Sequence, residues 1–471
     1  MERIKTDVCI IGAGSGGLSI AAGASQMGAK VVLLEGHKMG GDCLNYGCVP
    51  SKALLSAAKQ AHAMTAGAPY GVRPVVPEVN YAEAKDHVAK AIATIEPHDS
   101  QERFESLGVH VIREWGRFIS PTEVQAGDAV IEARRFVIAT GSGPMVPPIP
   151  GVEDVTVYTN ENIFDLRERP DHLLIIGGGP IGMEMAQAHI RLGSKVTVIE
   201  GMKAMGNDDH ELTAIVLEKM RAEGIEIVEG AKVTKITPEG GVTVETEAGT
   251  FTGTHLLMAA GRKVNIDKLD LDKGNVAHDR AVRVGADLRS TTNKKVYAVG
   301  DAAGGLQFTH VAGYHAGIVI RSMLFGLPAK AKTNHIPWVT YTDPELAHVG
   351  LTEAQAIKEF GKMAVDVARF EYGGNDRAIA EGKTTGFIKV MVVKGKPVGA
   401  SIVGHMSGEM IGVWALAIAN GLKMSAVSNM VAPYPTFGEI NKRVAGAYFS
   451  PKLFDNPTVK KVVGFVQRYI P

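Results

Sequence analysis

Cys43 and Cys48 stand five positions apart in GGDCLNYGCVPSK, and the chain has one further cysteine, Cys9. Two thiols at that spacing suit a structural staple, half of a metal site, or a bond that is broken and remade. On an ideal α-helix, residues five apart have Cα atoms about 8 to 9 Å apart. Disulfides rarely span more than about 7 Å. A bond between Cys43 and Cys48 therefore requires LNYG to leave the helix, most easily at Gly47. The helix proper is then expected to begin near Cys48, with Pro50 in its first turn and SKALLSAAKQAHAM as its body. A sulfur at a helix N-terminus feels the positive end of the dipole, which stabilises its thiolate. A metal site needs partner ligands at similar spacing, and none accompanies the pair. A staple closing so short a loop gains little. These residues favour redox catalysis and no metal. Cys9, in an apolar stretch, is expected to be a small core residue.

The rest of the chain must position that pair. At 471 residues it is long enough for two to four domains with real cores. Three cysteines are too few for a secreted disulfide framework, and MERIKTDVCII has no long apolar run, so a cytoplasmic protein is expected. Fifty basic residues balance fifty acidic ones, which provides no field to draw nucleic acid. Glycine is abundant at 55 residues with no repeat period, pointing to many tight turns.

Two groups of those glycines form matched phosphate cradles. TDVCIIG, Gly12, Gly14, Gly17 and KVVLLE, ending on Glu35, read as strand, loop, helix and strand. HLLIIGGGPIGMEMAQAHIRLGSKVTVIE repeats the pattern with Gly177, Gly179, Gly182 and Glu200. In each unit the first glycine makes the tight turn, the second admits a pyrophosphate, and the third lets the helix pack on the sheet. The phosphate then meets the helix N-terminus, and the acid accepts hydrogen bonds from a ribose diol. First glycine and acid are 23 residues apart in both copies. The chain should hold two dinucleotides, or one dinucleotide and a flavin dinucleotide. Glu200 would repel a 2′-phosphate and the following GMKAMG offers a single lysine, so NADH is expected over NADPH.

The cysteine segment, with TTNKKVYAVGDAAGG, RFVIATGS and LLMAAGR, resembles the pyridine nucleotide-disulfide oxidoreductases, in particular the dihydrolipoamide dehydrogenase, glutathione reductase and mercuric reductase group. The resemblance covers essentially the whole chain. It implies an α/β fold with two Rossmann-like domains, one for FAD and one for NAD, and a C-terminal α+β interface domain. The boundaries it implies are 1–150 with 284–335 for FAD, 151–283 for NAD, and 336–471 for the interface. Cys48 would face the flavin and Cys43 exchange with substrate. Lys52 and Glu184 match the family's pair beside the reactive flavin nitrogen, where a cation stabilises the anionic reduced ring. Asp301 would bind the ribitol. In AAGRKVN, Val264 stands where the family usually has proline.

From about residue 336 the pattern changes, with FIKVMVVKGKPVGASIVG reading as a hairpin and GEMIGVWALAIANGLKM as a buried helix. The resemblance implies a homodimer in which this region completes the partner's active site. Where the family carries His-Pro-Thr-x-x-Glu, this chain has Tyr434-Pro435-Thr436-Phe437-Gly438-Glu439. Tyrosine titrates near 10 against about 6.5 for histidine, so using it as a base at pH 7 costs about 4 kcal/mol. His310 and His315, in FTHVAGYHAG, are expected to be packed or capping residues, with His310 the alternative proton source. Val459, Val462, Val463, Val466, Tyr469 and Ile470 recur at helical spacing opposite Lys460, Lys461 and Arg468. That amphipathic tail, residues 455–471, suits packing on its own dimer, a membrane surface or a protein partner.

The leading reading is an FAD enzyme passing electrons from NADH to a Cys43–Cys48 disulfide and on to a small disulfide or other electrophile. The alternatives are an authentic dihydrolipoamide dehydrogenase, a mercuric, metal-ion or quinone reductase, and a flavin-binding scaffold without activity.

Overall fold

The structure is a computed structural model that describes residues 2–470. The first strand, Glu2–Ile11, lies between parallel neighbours Val31–Leu34 and Ala129–Ile138. Both faces of this sheet are covered. Val8, Ile10 and Leu33 pack into one apolar cluster, and Cys9, Ile11, Val32 and Leu34 into another. This two-sided burial explains why the strands read as near-continuous apolar runs rather than as an alternation. Val109–Ile112 extends one edge in parallel. The far side of Ala129–Ile138 is shared: its beginning pairs antiparallel with Glu123–Ala126, its end parallel with Val296–Ala298.

A second parallel sheet is built around His172–Ile176, flanked by Lys195–Glu200 and His255–Met258, with Val157–Tyr158 outside the latter. A three-stranded antiparallel ribbon, Val233–Thr237, Val242–Thr246 and Gly249–Gly253, accompanies it. The short strands Ser142–Pro144 and Arg262–Val264 pair antiparallel, and Val264 sits there opposite Ser142. These sheets belong to one compact unit, residues 2–202 with 228–332.

The other unit comprises residues 203–227 and 333–470. Its antiparallel sheet runs Pro337–Thr340, Glu345–Gly350, Lys396–Gly404, Phe387–Val393, Val365–Glu371. The expected hairpin forms at Lys394–Gly395, both with positive φ (49° and 76°), the mirror turn whose twist matches the strands it joins. The single buried helix expected for GEMIGVWALAIANGLKM is corrected to two, Ser407–Met410 and Gly412–Ala419, and Met424 already starts a third, Met424–Ser428. At the first break the Ile411 carbonyl accepts from both Trp414 and Ala415, so the ladder tightens where the Trp414 indole donates to Asn441 Oδ1 at 2.7 Å. Among the described residues, no helix is long and apolar enough to cross a membrane.

Candidate active site

The two glycine loops repeat each other in three dimensions. Gly12 and Gly177, ending the first strands of their units, have φ of 108° and 112°, a backbone that side chains rarely adopt. A Cβ on either would strike the carbonyl of the neighbouring strand, Ala139 or Ala259. Gly17 and Gly182, each the third residue of its helix, Ser15–Gln26 and Pro180–Arg191, are pressed against the carbonyls of Gly12 and Gly177. The middle glycines, Gly14 and Gly179, face open space where a pyrophosphate would approach. The acids repeat as well. Glu35 accepts from the Ala13 and His37 amides, each at 2.7 Å, and Glu200 from those of Gly178 and Met202 at 2.7 and 2.8 Å.

Between the cysteines the helix breaks as expected. Gly41–Asn45 carries Cys43 and Cys48–Thr65 begins with Cys48. Gly47 breaks the helical path with φ −122° and ψ −107°. Both sulfurs are free thiols here. Cys48, exposed at its helix N-terminus, lies 3.3 Å from the Thr309 hydroxyl. Its thiol is lowered to about 6, first by the hydrogen bond from Cys43, then by Thr309 and the Lys52 charge, with burial opposing. Cys43 moves the other way, because it supplies that hydrogen bond and is itself desolvated. The hydrogen bond between them thus favours the proton on Cys43 and negative charge on Cys48. Cys9 is a wholly buried core thiol, raised by desolvation.

One turn beyond Cys48, Lys52 Nζ binds Glu184 Oε2 at 2.7 Å. Glu184 lies on the helix that opens the second glycine loop and is 5% exposed, so the redox helix and the second cradle are tied directly. Asp301 Oδ2 accepts from the Ser142 hydroxyl at 2.5 Å, and burial raises this carboxyl above its usual range. Of the histidines near it, His315 Nδ1 accepts the Gly300 amide at 3.2 Å, and the exposed His310 ring stacks on Phe308. Thr309, just before His310 in sequence, is the residue that reaches Cys48. Spacing gave no sign of it, because the contact spans 261 residues.

In the second unit Tyr434 is 68% exposed and its hydroxyl donates to Asp376 Oδ2 at 2.9 Å. That bond, and the negative charge behind it, raise the tyrosine further above its ordinary value. Glu439, at the start of the helix Glu439–Phe454, receives Arg443 through Nε at 3.0 Å and Nη2 at 2.9 Å. The two motif residues thus have separate partners, and Asp376 is a neighbour that sequence reading missed. The tail forms the helix Pro457–Tyr469, capped by Asn456, and none of its residues is buried.

The family description "Pyridine nucleotide-disulphide oxidoreductase" matches residues 6–316, and that family's dimerisation domain matches residues 336–445. The chain is 33% identical to a mercuric reductase of Lysinibacillus sphaericus, over 92% of this chain and 81% of the relative. It is 31% identical to a dihydrolipoyl dehydrogenase of Staphylococcus aureus, over 94% and 96% respectively. Its structure resembles the Cu(II) complex of the HOCl-induced flavoprotein disulfide reductase RclA from Escherichia coli, with TM-score 0.84, 27% identity, and coverage of 94% and 99%.

The residues present fit a flavin dinucleotide. A cavity of about 380 Å³ runs from Gly12, Gly14 and Glu35 to Thr140, Ser142 and Asp42, and the last of these adjoins Cys43. Gly14, open on that side, would admit the phosphates, and the Glu35 carboxylate, which lines the same cavity, would take the ribose. The matched loops, the thiol pair, the fold and the relatives converge: this chain belongs to the pyridine nucleotide-disulphide oxidoreductases, enzymes that contain FAD and use a nicotinamide nucleotide.

Proposed function

We propose that this enzyme uses NADH to keep the Cys43–Cys48 pair reduced, and that the pair passes two electrons to a soft, thiophilic metal cation. The observation that carries the reading is the Tyr434 hydroxyl committed to Asp376 at 2.9 Å. Reducing a disulfide acceptor requires protons for two product thiols, which the family's histidine would manage. A tyrosine held above its ordinary range by a carboxylate neither takes nor gives a proton readily near neutral pH. A metal cation needs no proton. When Cys43–SH and Cys48–S⁻ close to a disulfide they lose two electrons and one proton; the proton is released to solvent, and the electron pair reduces one mercuric ion to the metal or two cupric ions to cuprous. The likeness to a mercuric reductase and to a reductase whose structure holds Cu(II) supports this choice.

In this reading FAD, held by Gly12, Gly14, Gly17, Glu35 and Asp301, supplies the two-electron link between nicotinamide and sulfur. Gly177, Gly179, Gly182 and Glu200 hold NADH. Lys52, oriented by Glu184, provides positive charge beside the flavin site, and Thr309 donates to the Cys48 thiolate. Residues 1–150 with 284–335 form the FAD domain, 151–283 the NAD domain, and 336–471 the interface of a homodimer in which Tyr434 and Glu439 face the partner's dithiol. The tail is assigned to an anionic lipid surface. Its polar side carries Lys460, Lys461 and Arg468 with no acid, opposite exposed Val462, Val463, Phe465 and Val466.

The test is NADH oxidation by the wild-type enzyme and Cys43→Ser with mercuric ion, cupric ion, lipoamide and glutathione disulfide. Metal-dependent turnover that Cys43→Ser abolishes is expected. Rapid lipoamide turnover with no response to metal would instead identify a dihydrolipoamide dehydrogenase.

A further inference from the structure

The turn between the two cysteines is held by a carboxylate that the chemistry above does not use. Asp42 precedes Cys43, and its side chain folds back along the turn. Oδ1 accepts from Asn160 Nδ2 at 3.0 Å, and Oδ2 pairs with Arg262 Nη2 at 3.2 Å. Asn160 also donates to the Tyr46 carbonyl at 3.2 Å, at the point where the helix breaks. A Cβ on Gly47 would press on the Asp42 carboxylate and carbonyl, so the glycine leaves room for the brace. Arg262 in turn donates from Nε to the Ser142 hydroxyl at 2.8 Å and from Nη2 to the Ser142 carbonyl at 2.6 Å. Ser142 holds Asp301. One guanidinium, 14% exposed, therefore connects the redox turn to Ser142, which begins the strand Ser142–Pro144, and through its hydroxyl to Asp301 in the turn Gly300–Ala303.

We propose that Asp42 and Arg262 are positioning residues that act as a charge-balanced brace on the Cys43–Cys48 turn. The carboxylate shapes the turn that brings the sulfurs together, and the guanidinium cancels its charge so that the thiolate survives beside it. The charged and titratable groups facing Cys48 are Cys43, Lys52 and Asp42, with the Thr309 hydroxyl between the helix ends. Among these, Asp42 is the one whose charge opposes the thiolate. Arg262 is the cation bound to it. The brace rests on the dithiol reading of the pair and is independent of which acceptor the pair reduces.

Opposite charges at one site give a test that general damage does not imitate. The holoenzyme, reduced anaerobically, is alkylated with iodoacetamide across pH 4 to 9, and mass spectrometry reports the rate at Cys48. Asp42→Asn is expected to move the midpoint down and Arg262→Gln to move it up, each by about one pH unit, or up to tenfold in rate below the midpoint. The double variant Asp42→Asn/Arg262→Gln is expected near the wild-type midpoint, and Arg262→Lys to restore most of the loss. Equal or same-direction shifts in the two single variants overturn the brace. If Arg262→Gln does not fold, Asp42→Asn alone decides by the sign of its shift, no shift or an upward one overturning the proposal. A wild-type Cys48 with no acidic midpoint would reject the dithiol reading itself.

Discussion

Lys52 Nζ lies 2.7 Å from Glu184 Oε2, across 132 residues of sequence, and joins the helix that starts at Cys48 to the helix of the second glycine loop. The carboxylate is buried while the ammonium keeps 39% of its exposure. Glu184 thus depends on Lys52 for compensation more than the reverse. Glu184→Gln keeps a hydrogen-bond partner for the lysine and is expected to slow flavin reduction by NADH about 10- to 100-fold with little loss of stability. Lys52→Met is expected to slow it at least as much and also to lower the melting temperature. Anaerobic stopped-flow absorbance and thermal denaturation separate the two effects.

The unequal thiols have a pH signature. With Cys48 lowered to about 6, its thiolate fraction grows as pH rises through 6 while Cys43 stays protonated. Alkylation of the reduced protein is expected at Cys48 alone near neutral pH. The leading cause of the low value is the hydrogen bond from Cys43. Cys43→Ala is therefore expected to shift the Cys48 midpoint upward, and an unchanged midpoint would mean that Lys52 and the helix terminus suffice.

Glu200 should discriminate between nicotinamide nucleotides. Its two oxygens accept the Gly178 and Met202 amides and keep negative charge at the end of the strand Lys195–Glu200. Glu200→Ser is expected to raise the KM for NADH about tenfold and to narrow the preference over NADPH. Steady-state kinetics with both nucleotides provide the check.

A buried lysine remote from the thiols carries a stability cost. Lys85 is 2% exposed, donates to the Ile163 carbonyl at 2.9 Å, and lies over the Tyr81 and Phe164 rings. Burial lowers its folded value to about 7, well under its usual 10.5. The folded state therefore resists the charged form, and stability falls as pH drops from above 10 toward 7. Lys85→Met removes that cost and one hydrogen bond worth about 1 kcal/mol. It is expected to raise the melting temperature at pH 7, with the gain shrinking toward pH 10. A gain that persists at pH 10 would point to packing instead.

The tail is tested by sedimentation with liposomes. The full chain is expected to pellet with vesicles containing anionic phosphatidylserine or phosphatidylglycerol and to be released by about 0.5 M salt. Removing residues 455–471 should abolish pelleting. Equal pelleting of both forms ends the lipid assignment, and a change in oligomeric state on truncation assigns the helix to the dimer.

The repeated glycine offsets, the thiols around Gly47 and the cationic tail were legible in the sequence because each is local. Turn geometry, helix dipole and helical period act over a few residues, so residue type and spacing determine them. Both acids, which share the 23-residue offset, also hydrogen-bond the backbone of their loops, a contact the spacing did not announce. What the spacing could not reveal is the company each group keeps across the fold. Thr309 reaches Cys48, Arg262 reaches Asp42, and Asp376 takes the Tyr434 hydroxyl. Those contacts set the surroundings of the thiols and of the Tyr434 hydroxyl. They depend on where separate strands and helices end in space, and only tertiary packing sets that, because a hydrogen bond requires approach within about 3 Å whatever the separation in sequence.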